Sequence, residues 1–305
     1  MMTDHPLAGV YAAAVTPLTC ASTPDLEAVP VLLAFLAGRG CHGALLFGTT
    51  GEGPSFSLSE RREIWQAALQ IRQVHPDFHL LAGCGTPSLS ESIELTRAAF
   101  DLGYDAAVVL PPYYFRSAPE DGLFDWFSTL IRQAVPSDGS LLGYHIPGMT
   151  GVGFSLELLN RLKDTFPRQF AGIKDSSHDA RFAAILGETF GDDLLVFSGT
   201  DSYFSLALQN HAAGCITAPA NLLSPDLRIV YDTFCQGQDT SAVQTILTAR
   251  RQVLEKYLPF PPLIKALLAR IHGFPRWPVR PPLIEIDEVL LRQAAAELAQ
   301  AGQLT

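Results

Sequence analysis

Apolar and polar positions along the chain alternate on two length scales. Eight short apolar runs recur from the amino-terminal side: Val10 to Val15, Gly43 to Phe47, His79 to Gly83, Asp105 to Leu110, Leu141 to Tyr144, Phe170 to Lys174, Leu194 to Ser198 and Gly214 to Thr217. Runs this short and continuous predict strands buried on both faces, the pattern of a parallel sheet covered by helices. The segments between them have helical periodicity. Ser59 is placed to N-cap the stretch Ser59-Glu60-Arg61-Arg62-Glu63-Ile64-Trp65, with Glu63 four residues on, and Ser90 to open Ser90-Glu91-Ser92-Ile93-Glu94-Leu95. Leu156 to Phe166 reads as a further helix. After the eighth run the chain continues through Pro225 to Gln236, Thr240 to Tyr257, Pro262 to Ile271 and Ile286 to Ala301, all helical in period. Pro259-Phe260-Pro261-Pro262 and Arg280-Pro281-Pro282 punctuate these segments, because proline cannot continue a helix interior.

Eight strands, each followed by a helix, predict an α/β fold, a (β/α)8 TIM barrel with a C-terminal helical extension. An open doubly wound sheet would want a glycine-rich fingerprint after its first strand, and Val15-Thr16-Pro17-Leu18 is not one. The expected division is a barrel over residues 1–224 and a helical extension over 225–305 packed on it. Composition agrees with a large core: of 305 residues 48% are hydrophobic and only 17% charged. A net charge of −10 without a basic run argues against nucleic acid and anionic membranes as partners. Met1 to Pro6 lack the charged and apolar regions of a leader, and no apolar run reaches the length of a membrane span, so the expected location is cytoplasmic. The five cysteines, Cys20, Cys41, Cys84, Cys215 and Cys235, are widely spaced and read as small buried hydrophobes. The histidines are scattered without metal-ligand spacing, so neither a metal nor another cofactor is expected.

The chain has only four lysines. Lys163 falls in a helical run, and Lys256 and Lys265 lie in helical C-terminal sequence, where a solvated ammonium is the ordinary reading. Lys174 differs, because it ends the strand Phe170-Ala171-Gly172-Ile173. Desolvation there disfavours the charged form. A free lysine is neutral about one time in a thousand at neutral pH, so an environmental shift of roughly 4 kcal/mol would free its lone pair. The neutral amine could attack a ketone and form a Schiff base, an electron sink. Snorkelling to the strand mouth, or pairing with Asp175, is the competing structural reading.

In such a barrel the working residues follow the strands. Gly48-Thr49-Thr50-Gly51-Glu52-Gly53 after the second offers a tight turn whose hydroxyls and amides could bind a carboxylate, or a plain connecting turn; the lysine of a phosphate loop is absent. In Pro111-Pro112-Tyr113-Tyr114-Phe115-Arg116 two consecutive tyrosines cannot both enter one core, so a hydroxyl should reach a cavity or an interface, although a loop that merely packs aromatics reads the same way. Tyr144 at the end of the fifth strand could carry protons for chemistry at Lys174 on the next strand, or be a hydrogen-bonded core tyrosine. After the seventh strand, Gly199 allows close substrate approach, whereas Thr200 and Asp201 suit helix capping.

Together these motifs resemble the dihydrodipicolinate synthase / N-acetylneuraminate lyase family of class I, Schiff-base aldolases and lyases. The resemblance runs from Gly9 to about Leu283. It rests on Gly48 to Glu52, Pro112-Tyr113-Tyr114, Tyr144-His145-Ile146-Pro147 with Thr150-Gly151, and Gly172-Ile173-Lys174-Asp175. It implies Lys174 as the imine-forming residue and Tyr144 as the proton shuttle. Thr49 and Thr50 would hold the keto-acid carboxylate or relay protons, and Tyr114 would complete the relay across a subunit interface. The resemblance further implies Gly48, Gly199 and Ile216 as substrate-binding, Ser176 and Asp201 where acceptor hydroxyls are contacted, and a homotetramer built as a dimer of tight dimers.

One position departs from the family pattern. Members that make dihydrodipicolinate carry an arginine two residues after the proline of the Tyr144 motif, and here that position is Met149. A thioether cannot form a bidentate pair with a carboxylate. The reading is therefore a pyruvate-dependent aldolase or lyase of a 2-oxo acid such as a 2-keto-3-deoxy sugar acid, with pyruvate and an aldehyde as partners. Dihydrodipicolinate synthase is the alternative, with Arg116 or Arg181 supplying the cation. A hydratase or dehydratase on the same imine, and a non-catalytic keto-acid-binding barrel, are the remaining possibilities.

Overall fold

The computed structural model describes residues 5–301; residues 1–4, part of the stretch expected to lack a leader, and 302–305 lie outside the described residues. All eight expected strands are present: β1 (Gly9–Ala13), β2 (Gly43–Leu46), β3 (His79–Gly83), β4 (Ala106–Val109), β5 (Ser140–His145), β6 (Phe170–Asp175), β7 (Leu195–Ser198) and β8 (Gly214–Thr217). They close a parallel barrel in sequence order. Almost every strand residue is buried, which is why the strands are continuous apolar runs rather than alternating ones. Helices α1 (Ala28–Gly38), α2 (Leu58–Ala68), α3 (Leu89–Asp101), α4 (Glu120–Ala134), α5 (Pro147–Thr150), α6 (Leu156–Thr165), α7 (Ala180–Phe190) and α8 (Phe204–Gln209) lie between the strands. Four more follow β8: α9 (Ala220–Cys235), α10 (Ser241–Glu255), α11 (Phe260–His272) and α12 (Glu288–Gln300).

Several helix starts differ from expectation for a local reason. Helix α2 is capped by Ser57, not Ser59: Ser57 has extended backbone, its hydroxyl accepts from the Glu60 N–H, and Glu60 bonds back to the Ser57 N–H in a capping box. Helix α3 is capped by Ser88, not Ser90. Both begin with Ser-Leu-Ser-Glu, and it is the serine three residues before the glutamate that caps. Helix α9 begins at Ala220, five residues before Pro225, because the helix kinks at Leu223 and so accommodates the proline. Pro261 and Pro262 lie in the first turn of α11, where a missing N–H breaks no helical bond.

By packing, the described chain forms two compact units. The first comprises 5–8, 79–200 and 206–215, and contains β3 to β7 with α3 to α7. Its strands run in parallel register, with Leu81 opposite Ala106 and Val109 opposite Gly143. The second comprises 9–78, 201–205 and 216–301. In it Asn221 on α9 spans the end of β1, donating to the Ala13 carbonyl at 2.8 Å and accepting from the Val15 N–H at 3.2 Å. The buried amide thus satisfies strand groups that the ladder leaves over.

Gly172 on β6 packs closely against β7. A Cβ there would collide with the backbone of Leu195 on β7. Gly172→Ala is expected to lower the unfolding free energy by about 1–3 kcal/mol through overpacking, read by urea denaturation; an unchanged midpoint would contradict this packing.

Candidate active site

Lys174 and Tyr144 come together because of an irregularity in the ladder. Leu141 pairs with Phe170 but Leu142 pairs with Gly172, so Ala171 is an extra residue on β6. From there Tyr144 is opposite Lys174 and His145 opposite Asp175. Without the bulge, Lys174 would align with His145, and its side chain would share that residue's face instead, since a one-residue slip reverses facing. The result is an ammonium nitrogen 4.1 Å from the centroid of the Tyr144 ring. Lys174 is 3% and Tyr144 4% exposed.

Asp175 does not neutralise Lys174. Successive strand residues face opposite sides, and the Asp175 carboxylate instead accepts from the Ser177 N–H at 2.9 Å through Oδ1, leaving Oδ2 without a hydrogen-bond partner. Among the described residues no carboxylate is ion-paired with Lys174. Burial pushes the Asp175 carboxyl up to about 6. On the neighbouring strand His145 is buried against Phe182, accepts from the Phe154 N–H at 2.9 Å through Nδ1, and is lowered by burial to about 4.

The first unit also carries Ser176, Gly199, Thr200 and Met149. Ser176 is buried and donates its N–H to the His145 carbonyl at 2.7 Å, and Gly199 donates to the Asp175 carbonyl at 2.6 Å. The Thr200 hydroxyl lies 3.3 Å from Nδ1 of His178. Met149 on α5 is exposed. Arg116 lies across the turn that ends α5, its Cδ 2.6 Å from where a Cβ of Gly151 would stand. Tyr114 and Phe115 are exposed side by side, their rings 5.3 Å apart.

In the second unit Gly48, Thr49 and Thr50 follow β2, with Thr50 buried and Thr49 partly so. The turn is held by Glu52 N–H to Thr49 carbonyl, Gly53 N–H to Gly48 carbonyl, and the Thr16 hydroxyl on the Gly51 carbonyl at 2.7 Å. Ile216 is wholly buried on β8. Asp201 has a different partner from the one expected. It is fully buried and ion-paired with Arg251 of α10 at 3.1 Å, so its carboxylate presents no surface to a hydroxylated acceptor.

Lys265 also departs from expectation. It is not a solvated ammonium but 1% exposed, paired with Glu52 and bonded to the Pro278 carbonyl at 2.7 Å. The flanking residues carried the signal: Leu263, Ile264, Ala266, Leu267 and Leu268 are all apolar, and a helix apolar all round is buried. Among the described residues no cluster of three or more histidine, cysteine, aspartate or glutamate side chains could hold a metal ion, and no helix is long and apolar enough to cross a membrane.

A closed parallel barrel with a buried lysine beside a tyrosine at adjacent strand ends has the layout of a Schiff-base lyase. The sequence matches the model of the dihydrodipicolinate synthetase family over residues 6–301, and the chain belongs to that family, as a carbon–carbon lyase. It is 38% identical over 298 residues to a DapA-like lyase of uncharacterised activity from Chloroflexus aurantiacus, covering 96% of this chain and 97% of the relative. It is 33% identical to the 4-hydroxy-tetrahydrodipicolinate synthase of Thermus thermophilus, covering 88% and 90% of the two chains. The fold matches YagE of E. coli K12, a protein of the dihydrodipicolinic acid synthase family solved in complex with pyruvate, at a TM-score of 0.89 and 23% identity over 97% of this chain and 98% of that one.

The opposed shifts of His145 and Asp175 set a pH dependence. Neutral His145 binds fewer protons folded than unfolded between about pH 4 and 6.5, so its contribution to stability is lost as pH falls through that window. Asp175, raised, binds more protons folded between 3.8 and about 6, so its contribution is lost as pH rises through nearly the same window. The two offset one another. Asp175→Asn removes one arm, and its unfolding free energy should fall more steeply than wild type's between pH 6.5 and 4, as measured by urea denaturation; parallel curves would contradict the assignment.

Proposed function

We propose that the chain is a pyruvate-dependent class I aldolase whose substrate is a 2-oxo acid with a hydroxyl at C4, such as a 2-keto-3-deoxy sugar acid. The observation that carries this reading is the buried Lys174 amine over the Tyr144 ring, with no carboxylate ion-paired to it among the described residues. An amine held by an ion pair is committed to its charge, whereas one packed on an aromatic face is open to covalent chemistry.

In the cleavage direction the unprotonated Lys174 Nζ adds to the C2 ketone, and loss of water gives an iminium. Tyr144 passes its phenolic proton into the relay as it accepts the proton of the C4 hydroxyl. The electron pair of the C3–C4 bond moves into the iminium, releasing an aldehyde and leaving the pyruvate enamine on Lys174. Protonation at C3 and hydrolysis then free pyruvate and the amine. Thr49 and Thr50 receive the 2-oxo acid carboxylate and relay the proton, Tyr114 of a second subunit completes the relay, and Gly48, Gly199 and Ile216 line the keto-acid side. Ser176 remains the candidate for acceptor hydroxyls. Exposed Tyr114 and Phe115 suit burial in a tight dimer, two of which form the tetramer. Pyruvate itself, the ligand in YagE, is the natural first probe.

The missing cation at Met149 favours an uncharged, hydroxylated acceptor over aspartate semialdehyde. The position of Arg116 across Gly151 supports the second reading, dihydrodipicolinate synthesis, because its guanidinium could reach an acceptor carboxylate. A panel of aldehydes with pyruvate separates the two: hydroxyaldehydes should turn over, and efficient use of aspartate semialdehyde would favour the synthase.

Borohydride reduction with pyruvate should add one pyruvyl group to wild type and none to Lys174→Ala, by intact mass. Tyr144→Phe should keep the adduct while kcat falls about 10²- to 10⁴-fold. An unmodified wild-type protein would overturn the covalent mechanism.

A further inference from the structure

The turn Gly48-Thr49-Thr50-Gly51-Glu52 has a second half supplied from far along the chain. Glu52 has left-handed backbone, φ 57 and ψ 30, which is uncommon outside glycine. Phe47, just before the turn, is also left-handed, at φ 58. Between them Gly51 is packed so closely that a Cβ would lie 2.8 Å from the Ala14 carbonyl oxygen and 2.9 Å from the Phe47 nitrogen. A backbone this constrained needs something to hold it.

The Glu52 side chain provides the hold, and both its oxygens are occupied. Oε1 accepts from the Lys265 ammonium at 2.5 Å, and Oε2 accepts from the Arg280 N–H at 2.9 Å. Lys265 donates in addition to the Pro278 carbonyl. Arg280 continues the clamp: its guanidinium donates to the carbonyls of Ser55 and Ser22 and to the Glu60 carboxylate, and covers the Phe56 ring at 4.2 Å. Glu52 and Lys265 are 2% and 1% exposed, so neither is a solvated surface group. Everything attached to this carboxylate other than the turn itself comes from α11 and residues 278–280.

We propose that Lys265, through Glu52, is a positioning residue that fixes the conformation of the Thr49–Thr50 turn, and so tunes the affinity of the site for the carboxylate of a 2-oxo acid. This rests on the reading of Thr49 and Thr50 as the carboxylate-binding hydroxyls. Lys265 touches no substrate and performs no chemistry. Burial pulls the Lys265 ammonium down and Glu52 opposes that pull, whereas no carboxylate is ion-paired with Lys174 among the described residues.

The test compares three variants with wild type: Lys265→Met, Glu52→Gln, and the two combined. Each single variant strands one buried charge or removes its partner and should lower the melting temperature. The double variant has neither charge and should recover thermal stability, while the turn still lacks its ionic pin. Its pyruvate KM, or the half-saturating pyruvate concentration for borohydride trapping, should stay raised by roughly tenfold or more. Trapping at saturating pyruvate should still label Lys174 fully. If the double variant regains both stability and wild-type pyruvate affinity, Lys265 is structural only and the proposal is overturned. A wild-type protein that cannot be trapped at all would instead defeat the functional reading beneath it, and the two failures are distinguished by that control.

Discussion

The molecule buries two ammonium groups and treats them in opposite ways. Lys265 is given a carboxylate, a carbonyl and a neighbouring backbone N–H on the same carboxylate, so its charge is accounted for. Lys174 is given the face of a tyrosine. Burying an unpaired ion is unfavourable by several kcal/mol in general, so an amine without an ion-pair partner is the costlier of the two to keep charged. The difference between the two lysines underlies the proposed division between scaffold and chemistry.

That arrangement depends on backbone geometry more than on side-chain identity. The extra residue Ala171 shifts β6 by one position against β5, and only then do Tyr144 and Lys174 share a face. Gly172 next to it lets β7 approach. The same shift aligns His145 with Asp175, and their opposed titrations cancel across mildly acidic pH. A single bulge thus sets Lys174 and Tyr144 on one face and a buried polar pair on the other.

The strands were legible because a sheet covered on both faces leaves near-continuous apolar runs, and each expected run overlaps an observed strand. Helix starts were less legible. Ser59 and Ser90 sit beside the true caps Ser57 and Ser88, and only the three-residue spacing to a glutamate tells them apart. Lys174 and Tyr144 could be singled out as strand-end residues, yet the bulge that aligns them leaves no mark in the residue pattern. The ion pairs of Lys265 and Asp201 leave no trace in the residue pattern for one shared reason. Each is a charged residue whose partner, Glu52 or Arg251, lies tens to hundreds of positions away, and a long-range ion pair has no periodicity to betray it. The apolar surroundings of Lys265 were visible, but they carry this information only if a buried lysine is expected to need a counter-ion.

The most direct measurement is the electron density of crystals soaked in pyruvate. Continuous density is expected from Lys174 Nζ to the C2 carbon of pyruvate, with the Tyr144 hydroxyl over the reacting carbon and Lys265 still bonded to Glu52. Pyruvate bound with Lys174 unmodified, or density running from any other lysine, would contradict it.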